Sequence, residues 1–256
     1  MVGYHSEEQI GFITLDNPPA NSYDREFMEQ LGDAIVTAAD DERGKVIIMR
    51  SSSPKFFSAG ADVKTFAEQD AADSMAMIEL AHRALGRIAS IPKIFIALIQ
   101  GHALGGGLEM ALACDLRFGA RGSYGLGTPE VTLGLLPGNG GTQRLPRLIG
   151  LSRALDLMIT GRRITPGQAH VLGILDRLLP ASDAEAMTRG YAEVLAGGAA
   201  EAIGAIKQAA VGGVEVSLED GLARERELVA GLFRSRDARE GLSAFIEKRE
   251  PVFGKT

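Results

Sequence analysis

The chain has 256 residues, with hydrophobic residues at 45% and charged residues at 23%, which suits one large soluble domain able to bury a core without disulfides or metals. A single cysteine, Cys114, excludes an intrachain disulfide framework. The formal net charge of −6 counts against nucleic acid as the main partner, because a phosphate backbone demands a basic face, but leaves room for a small polyanionic ligand held by a few cations or helix N-termini.

The N-terminal MVGYHSEEQIGFITLD lacks a basic segment followed by an apolar one, and the apolar run Ile94–Ile99 is too short to span a bilayer. A soluble cytoplasmic protein without a membrane partner is therefore expected. Residues 9–16 read as a strand ended by Asn17-Pro18-Pro19. Phe27, Leu31, Ile35 and Ala38 fall near helical spacing, so 24–39 reads as a helix with Asp24 and Glu26 in its first turn. KVIIMRS (45–51) reads as a buried strand, FFSAGADVK as a loop, 71–90 as a helix and KIFIALIQG (93–101) as the next strand. Beyond Gly140 the chain reads as mainly helical. Thr165-Pro166-Gly167-Gln168 is a capping box, and Ser182-Asp183-Ala184-Glu185 and Asp237-Ala238-Arg239-Glu240 are start signals of the same kind. Residues 175–180 read as a short strand, and no strand is expected in the last sixty or so residues.

The most informative stretch is Gly101-His102-Ala103-Leu104-Gly105-Gly106-Gly107-Leu108-Glu109, which leaves a strand and enters the apolar helical segment MALACD. Consecutive glycines there permit close approach to the backbone. Helix-start N–H groups, backed by the positive end of the macrodipole, suit a developing oxyanion. Glu109 lies about one turn beyond Gly106, on the side of the same cavity. Taken alone, such a segment is better explained by tight packing and dipole complementation. A phosphate loop fails for want of a lysine, no G-x-G-x-x-G register fits, and a nucleophile elbow fails because position 121 is arginine.

Two further segments bear on the choice: Phe56-Phe57-Ser58-Ala59-Gly60-Ala61-Asp62-Val63-Lys64, and the run from Gly127 to Leu145, GTPEVTLGLLPGNGGTQRL. With GHALGGGLE they resemble the crotonase (enoyl-CoA hydratase/isomerase) superfamily, closest to enoyl-CoA hydratases, in order and spacing. The likeness runs on to GLSAFIEKREPVF at 241–253. It implies an α/β crotonase-like spiral of ββα units over 1–197, with a helical C-terminal trimerisation module over 198–256. It implies an enoyl-CoA hydratase without metal or redox cofactor, coenzyme A being part of the substrate, in a homotrimer or homohexamer. Glu109 and Glu130 match the two catalytic glutamates, and Ala61 and Gly106 the two backbone donors to the thioester oxygen. Ala20, Ala59, Asp62, Val63, Lys64, Pro129, Gly138, Phe245 and Lys248 match positions that line the substrate or coenzyme A. A Δ3-Δ2-enoyl-CoA isomerase, another acyl-CoA lyase of the superfamily, an RNA-binding homologue and a silent scaffold subunit are the rival readings.

The sequence departs from the hydratase pattern at Asn17-Pro18-Pro19-Ala20-Asn21-Ser22-Tyr23, where a lysine is missing, and at Arg121-Gly122-Ser123-Tyr124, one residue longer than the usual spacing. His102 reads as a pocket-wall or loop residue; His5, His82 and His170 show no metal spacing. Cys114 reads as core. Arg224, Arg226, Arg234, Arg236 and Arg239 alternate with acids and read as a solvated helix face or a subunit contact.

Overall fold

The structure, a computed structural model, describes residues 1–254. It opens with an antiparallel hairpin of β1 (Val2–Glu7) and β2 (Ile10–Leu15). The sequence reading lacks β1 because its side chains alternate between half-buried and exposed, so no apolar run marks it. There follow β3 (Ser22–Tyr23) and α1 (Arg25–Asp40), whose cap Asp24 accepts from Phe27 N. One face of α1 buries Phe27, Met28, Leu31, Ile35 and Ala38, the stripe of an amphipathic helix. Next come β4 (Val46–Ser51), β5 (Phe56–Ser58), β6 (Gly60–Ala61), α2 (Val63–Glu68) and α3 (Ala71–Ser90). The segment read as a loop thus holds two strands, each too short to show a period.

β7 (Ile94–Ile99), β8 (His102–Leu104) and α4 (Gly106–Ala113) form the next turn. α4 ends at Ala113, with Cys114 as its buried C-cap. β9 (Leu116–Ala120), absent from the sequence reading, then leads to β10 (Leu126–Gly127) and a 3-10 turn (Pro129–Leu133). The remainder is α5 (Gly141–Ile149), α6 (Leu151–Thr160), α7 (Pro166–Leu172), β11 (Arg177–Leu179), α8 (Ala184–Ala196), α9 (Ala200–Gly213), α10 (Leu218–Leu232) and α11 (Arg236–Glu247). The Thr165–Gln168 capping box is formed. Two start signals shift: α8 is entered at Asp183 rather than Ser182, and α11 is capped by Ser235, which accepts from Ala238 N, rather than by Asp237.

The long strands, with the three-residue β11 at one edge, form one six-stranded sheet, ordered β1-β2-β4-β7-β9-β11 and parallel from β2 onward. The short strands form two smaller sheets, β10-β8-β5 and β3-β6. Each turn therefore sends a long strand to the main sheet, then a short strand or a helix to a second layer, which is the expected spiral of ββα units. The central strands β4 and β7 are covered on both faces, so they read as largely unbroken apolar runs. Ile47, Met49, Phe95 and Ala97 face α1 and α3, while Val46, Ile48, Ile96 and Leu98 face α8 through Ala184, Ala192 and Ala196. Among the described residues no single helix is long and apolar enough to cross a membrane.

The boundary expected at 197/198 falls in the turn between α8 and α9. α9 is tied to the sheet by Lys207, which is 4% exposed. Its Nζ donates to Ile88 O (2.7 Å), Lys93 O (2.8 Å) and Asp115 Oδ2 (2.8 Å), and the same carboxylate oxygen accepts from Phe95 N at 2.7 Å. Burial lowers the Lys207 pKa and raises that of Asp115, and the pairing opposes both shifts. Removing one partner strands the other without compensation. Lys207→Met is expected to destabilise the fold by about 3–5 kcal/mol in urea unfolding. A loss within about 0.5 kcal/mol, the usual range for a surface change, would show that α9 does not depend on the pair.

Candidate active site

The site forms where three short elements meet the N-terminus of α4. Gly105 precedes that helix with φ 54°, a left-handed conformation that glycine adopts without cost. Its N–H donates to Gly127 O at 2.8 Å, holding the helix start against β10. Gly106 is the first residue of α4, so its N–H has no acceptor within the helix. A Cβ on Gly60 would lie 2.8 Å from Leu104 O and 3.2 Å from Gly106 N. The Gly60-Ala61 strand thus lies directly against the glycines, and the two positions assigned to the oxyanion are neighbours.

Glu109, one turn into α4, is 1% exposed. Its Oε1 accepts from Asn139 N (2.8 Å) and Gly141 N (2.6 Å), both from the turn that enters α5. Burial raises its pKa; those two bonds and the Arg144 charge oppose the rise. Glu130 stands in the 3-10 turn, where a Cβ on Gly105 would lie 2.8 Å from its Oε1. Its Oε2 is buried with no hydrogen-bond partner among the described residues, as is Thr128 Oγ1. Burial first, and the field of Glu109 in addition, push Glu130 up to about 7. Two desolvated carboxyls within each other's field, one braced and one with an unpartnered oxygen, are a pair able to hold and pass protons.

The other positions matched by resemblance divide into two groups. Ala20 O accepts from Ala59 N at 2.9 Å, placing both beside the β3–β6 pair, and Pro129 adjoins Glu130. Gly138, whose carbonyl accepts from His82 Nε2 at 2.6 Å, sits in the turn that braces Glu109. Asp62 spends its carboxylate capping α2, accepting from Lys64 N and Thr65 N, while Val63 and Lys64 are exposed at the start of that helix. Phe245 and Lys248 are exposed on or at the end of α11, whose hydrogen bonds run to the C-terminal tail through Glu240 and Arg249. His102 accepts from Gly125 N, a wall and loop role. The described residues hold no cluster of metal-binding type. The lengthened segment 121–124 is closed by Tyr124, whose hydroxyl lies 2.6 Å from Ala120 O.

Four residues of the site were missed in the sequence. Tyr23, 4% exposed, accepts from Asn139 Nδ2, and a Cβ on Gly106 would overlap its hydroxyl. Arg144 Nη1 donates to Asn139 O at 2.8 Å. Asn21, a buried residue at φ 50°, gives its Nδ2 to Ser51 Oγ (2.7 Å) and Phe57 O (3.0 Å), fixing the strand that carries Tyr23. The NPP break before Asn21 was the one available signal.

The sequence profile of the enoyl-CoA hydratase/isomerase family matches residues 5–256. A probable enoyl-CoA hydratase of Mycobacterium tuberculosis is 38% identical over 249 residues, covering 96% of this chain and 95% of that protein. An enoyl-CoA isomerase/hydratase of Mycosarcoma maydis is 36% identical over 250 residues, covering 94% and 91%. Among solved structures, that of an enoyl-CoA hydratase from Geobacillus kaustophilus HTA426 superposes with a TM-score of 0.96 at 46% identity, over 98% of this chain and 95% of that one. An enoyl-CoA hydratase structure from Bacillus anthracis gives 0.93 at 35% identity, with 98% of each chain covered.

The raised pKa of Glu130 also affects stability. The folded state binds its proton up to about pH 7, whereas a free carboxyl releases it near 4.5. The folded chain thus holds more protons than the unfolded chain in that window, and stability falls as pH rises through it. Glu130→Gln removes the titration. Its Tm should exceed that of the wild type at pH 8 by about 2–4 °C and match it near pH 4.5. Thermal scans at the two pH values giving equal differences would contradict the shift.

Proposed function

Because the chain belongs to the enoyl-CoA hydratase/isomerase family, we propose that it adds water reversibly, with syn geometry, to a trans-2-enoyl-CoA thioester, giving a 3-hydroxyacyl-CoA. The observation that carries this reading is the pair of buried glutamates: Glu109 braced at one oxygen by two backbone N–H groups, and Glu130 held up to about 7 with one oxygen unpartnered. Near neutrality such a pair offers one carboxylate and one carboxylic acid. The carboxylate takes a proton from water as its oxygen bonds to C3, and a proton is delivered to C2. Charge gathers on the thioester oxygen between these steps. The Ala61 and Gly106 N–H groups are assigned to that oxygen; one fixed donor of this kind is worth about 2.7–4 kcal/mol. Ala20, Ala59 and Asp62–Lys64 are assigned to the coenzyme A moiety, which arrives as part of the substrate, and the chemistry uses no metal or redox centre.

A second reading, isomerisation of a 3-enoyl-CoA, is favoured by the double name of the Mycosarcoma maydis relative. It needs one carboxyl to carry a proton between carbons, so substitution separates the two. For a hydratase, Glu109→Gln and Glu130→Gln each lower turnover by about 10²–10⁴-fold. Substrate binding changes far less, and the double variant is little worse than either single one. The ultraviolet absorbance of the enoyl thioester reports this directly. Near-full turnover by Glu109→Gln, with isomerisation outpacing hydration, would replace the hydratase reading.

We also infer a trimer or a dimer of trimers built through the C-terminal helices, residues 198–256 forming the assembly module. Leu218, Phe233, Phe245 and Ile246 are 70–84% exposed in the single chain, an apolar display that a soluble monomer rarely keeps. Light scattering should give a mass at least three times that of the chain at micromolar concentration; a stable monomer would exclude the assembly.

A further inference from the structure

Three polar groups of Asn139 tie its turn to the site. Its N–H donates to Glu109 Oε1 at 2.8 Å, its carbonyl accepts from Arg144 Nη1 at 2.8 Å, and its side-chain amide donates to the Tyr23 hydroxyl. It is 4% exposed and lies between Gly138 and Gly140. Glycines on both sides leave that peptide plane free to turn unless something outside the turn fixes it. Tyr23 is placed to do so, since its own position is set three ways. Its strand pairs with β6, Tyr23 opposite Ala61; its carbonyl accepts from Asp62 N at 2.9 Å; and its hydroxyl rests against Gly106.

We propose that Tyr23 and Asn139 form a positioning couple: the Tyr23 hydroxyl holds the Asn139 side chain so that the Asn139 N–H stays on Glu109 Oε1. The couple links the strand pair that carries Ala61 to the carboxyl of Glu109. The distance between the oxyanion donors and the proton-handling group is then set by one side-chain contact rather than by the glycine turn. Tyr23 acts through Asn139 and is a positioning residue. The other charged or titratable groups facing Glu109 are Glu130 from the 3-10 turn and Arg144 from α5. Of the remaining neighbours, His82 on α3 reaches the Gly138 carbonyl, and His102 on β8 is turned to Gly125 N.

The inference rests on Glu109 serving the proposed reaction, and its test includes a readout that does not depend on turnover. Tyr23→Phe keeps the ring and deletes only the acceptor for Asn139. Loosening the Asn139 N–H bond removes an interaction that favours the charged carboxyl, so Glu109 should titrate higher by about 0.5–1 pH unit. Infrared difference spectra taken against the same background carrying Glu109→Gln isolate that carboxyl band. In enoyl-CoA hydration, kcat should fall about 10–100-fold, the scale of a small misplacement, while KM moves little. The acid limb of kcat/KM should shift upward with the band. Asn139→Ala should do the same, and it carries the test if Tyr23→Phe does not fold. A Glu109 band that titrates unchanged in the variants overturns the couple whatever reaction the protein performs. A loss confined to KM also overturns it. A shifted band in a protein that does not hydrate enoyl-CoA would support the couple while removing the hydratase reading.

Discussion

A carboxyl group held at 1% exposure is the constraint on which the rest of the site depends. Burying Glu109 costs hydration that the fold must replace, and it does so with two main-chain N–H groups on a single oxygen. Those donors come from a turn some thirty residues further along the chain, so the start of α4 and the entry to α5 must be brought together. A Cβ at Gly141 would come within 2.9 Å of Glu109 Oε1, and one at Gly105 within 2.8 Å of Glu130 Oε1. The glycines of both segments are consequences of how closely the two carboxyls are packed against backbone.

The sequence showed elements that are long, or buried on both faces. The helices at 25–40 and 71–90 carry an acidic cap and an apolar stripe, and the strands at 46–51 and 94–99 are largely apolar because they are covered on both faces. β1 was not legible because it lies at the sheet edge with one face open, nor were β5 and β6, whose few residues pair across the fold rather than along the chain. Ser235 was passed over in favour of Asp237 because both are good caps and only the local backbone decides between them.

The site divides in the same way. Glu109, Glu130, Gly106 and Ala61 were visible as a conjunction of motifs, each ambiguous alone. Tyr23 and Asn139 were not, because their meaning lies in a contact spanning 116 positions. Nothing in the spacing of a tyrosine and an asparagine so far apart signals a shared hydrogen bond. Phe245 and Lys248 were matched by motif, and the single chain leaves both exposed on or at the end of α11. Lys207, one lysine among the many charged residues of the helical region, turned out to be the staple between α9 and the sheet.

The spiral also distributes the site across its turns. The first supplies Tyr23 on β3, the second Ala61 on β6, the third Gly106 and Glu109 on α4, and the fourth Glu130 after β10. These groups hang from short elements while the strands behind them form a single six-stranded sheet. A change in one turn can reach another, because Asn139 bonds both Tyr23 on the first turn and Glu109 on the third. On such a frame a substitution in one turn is felt through the side-chain contacts it makes with the next, so divergence at one position calls for a matching change at its partner.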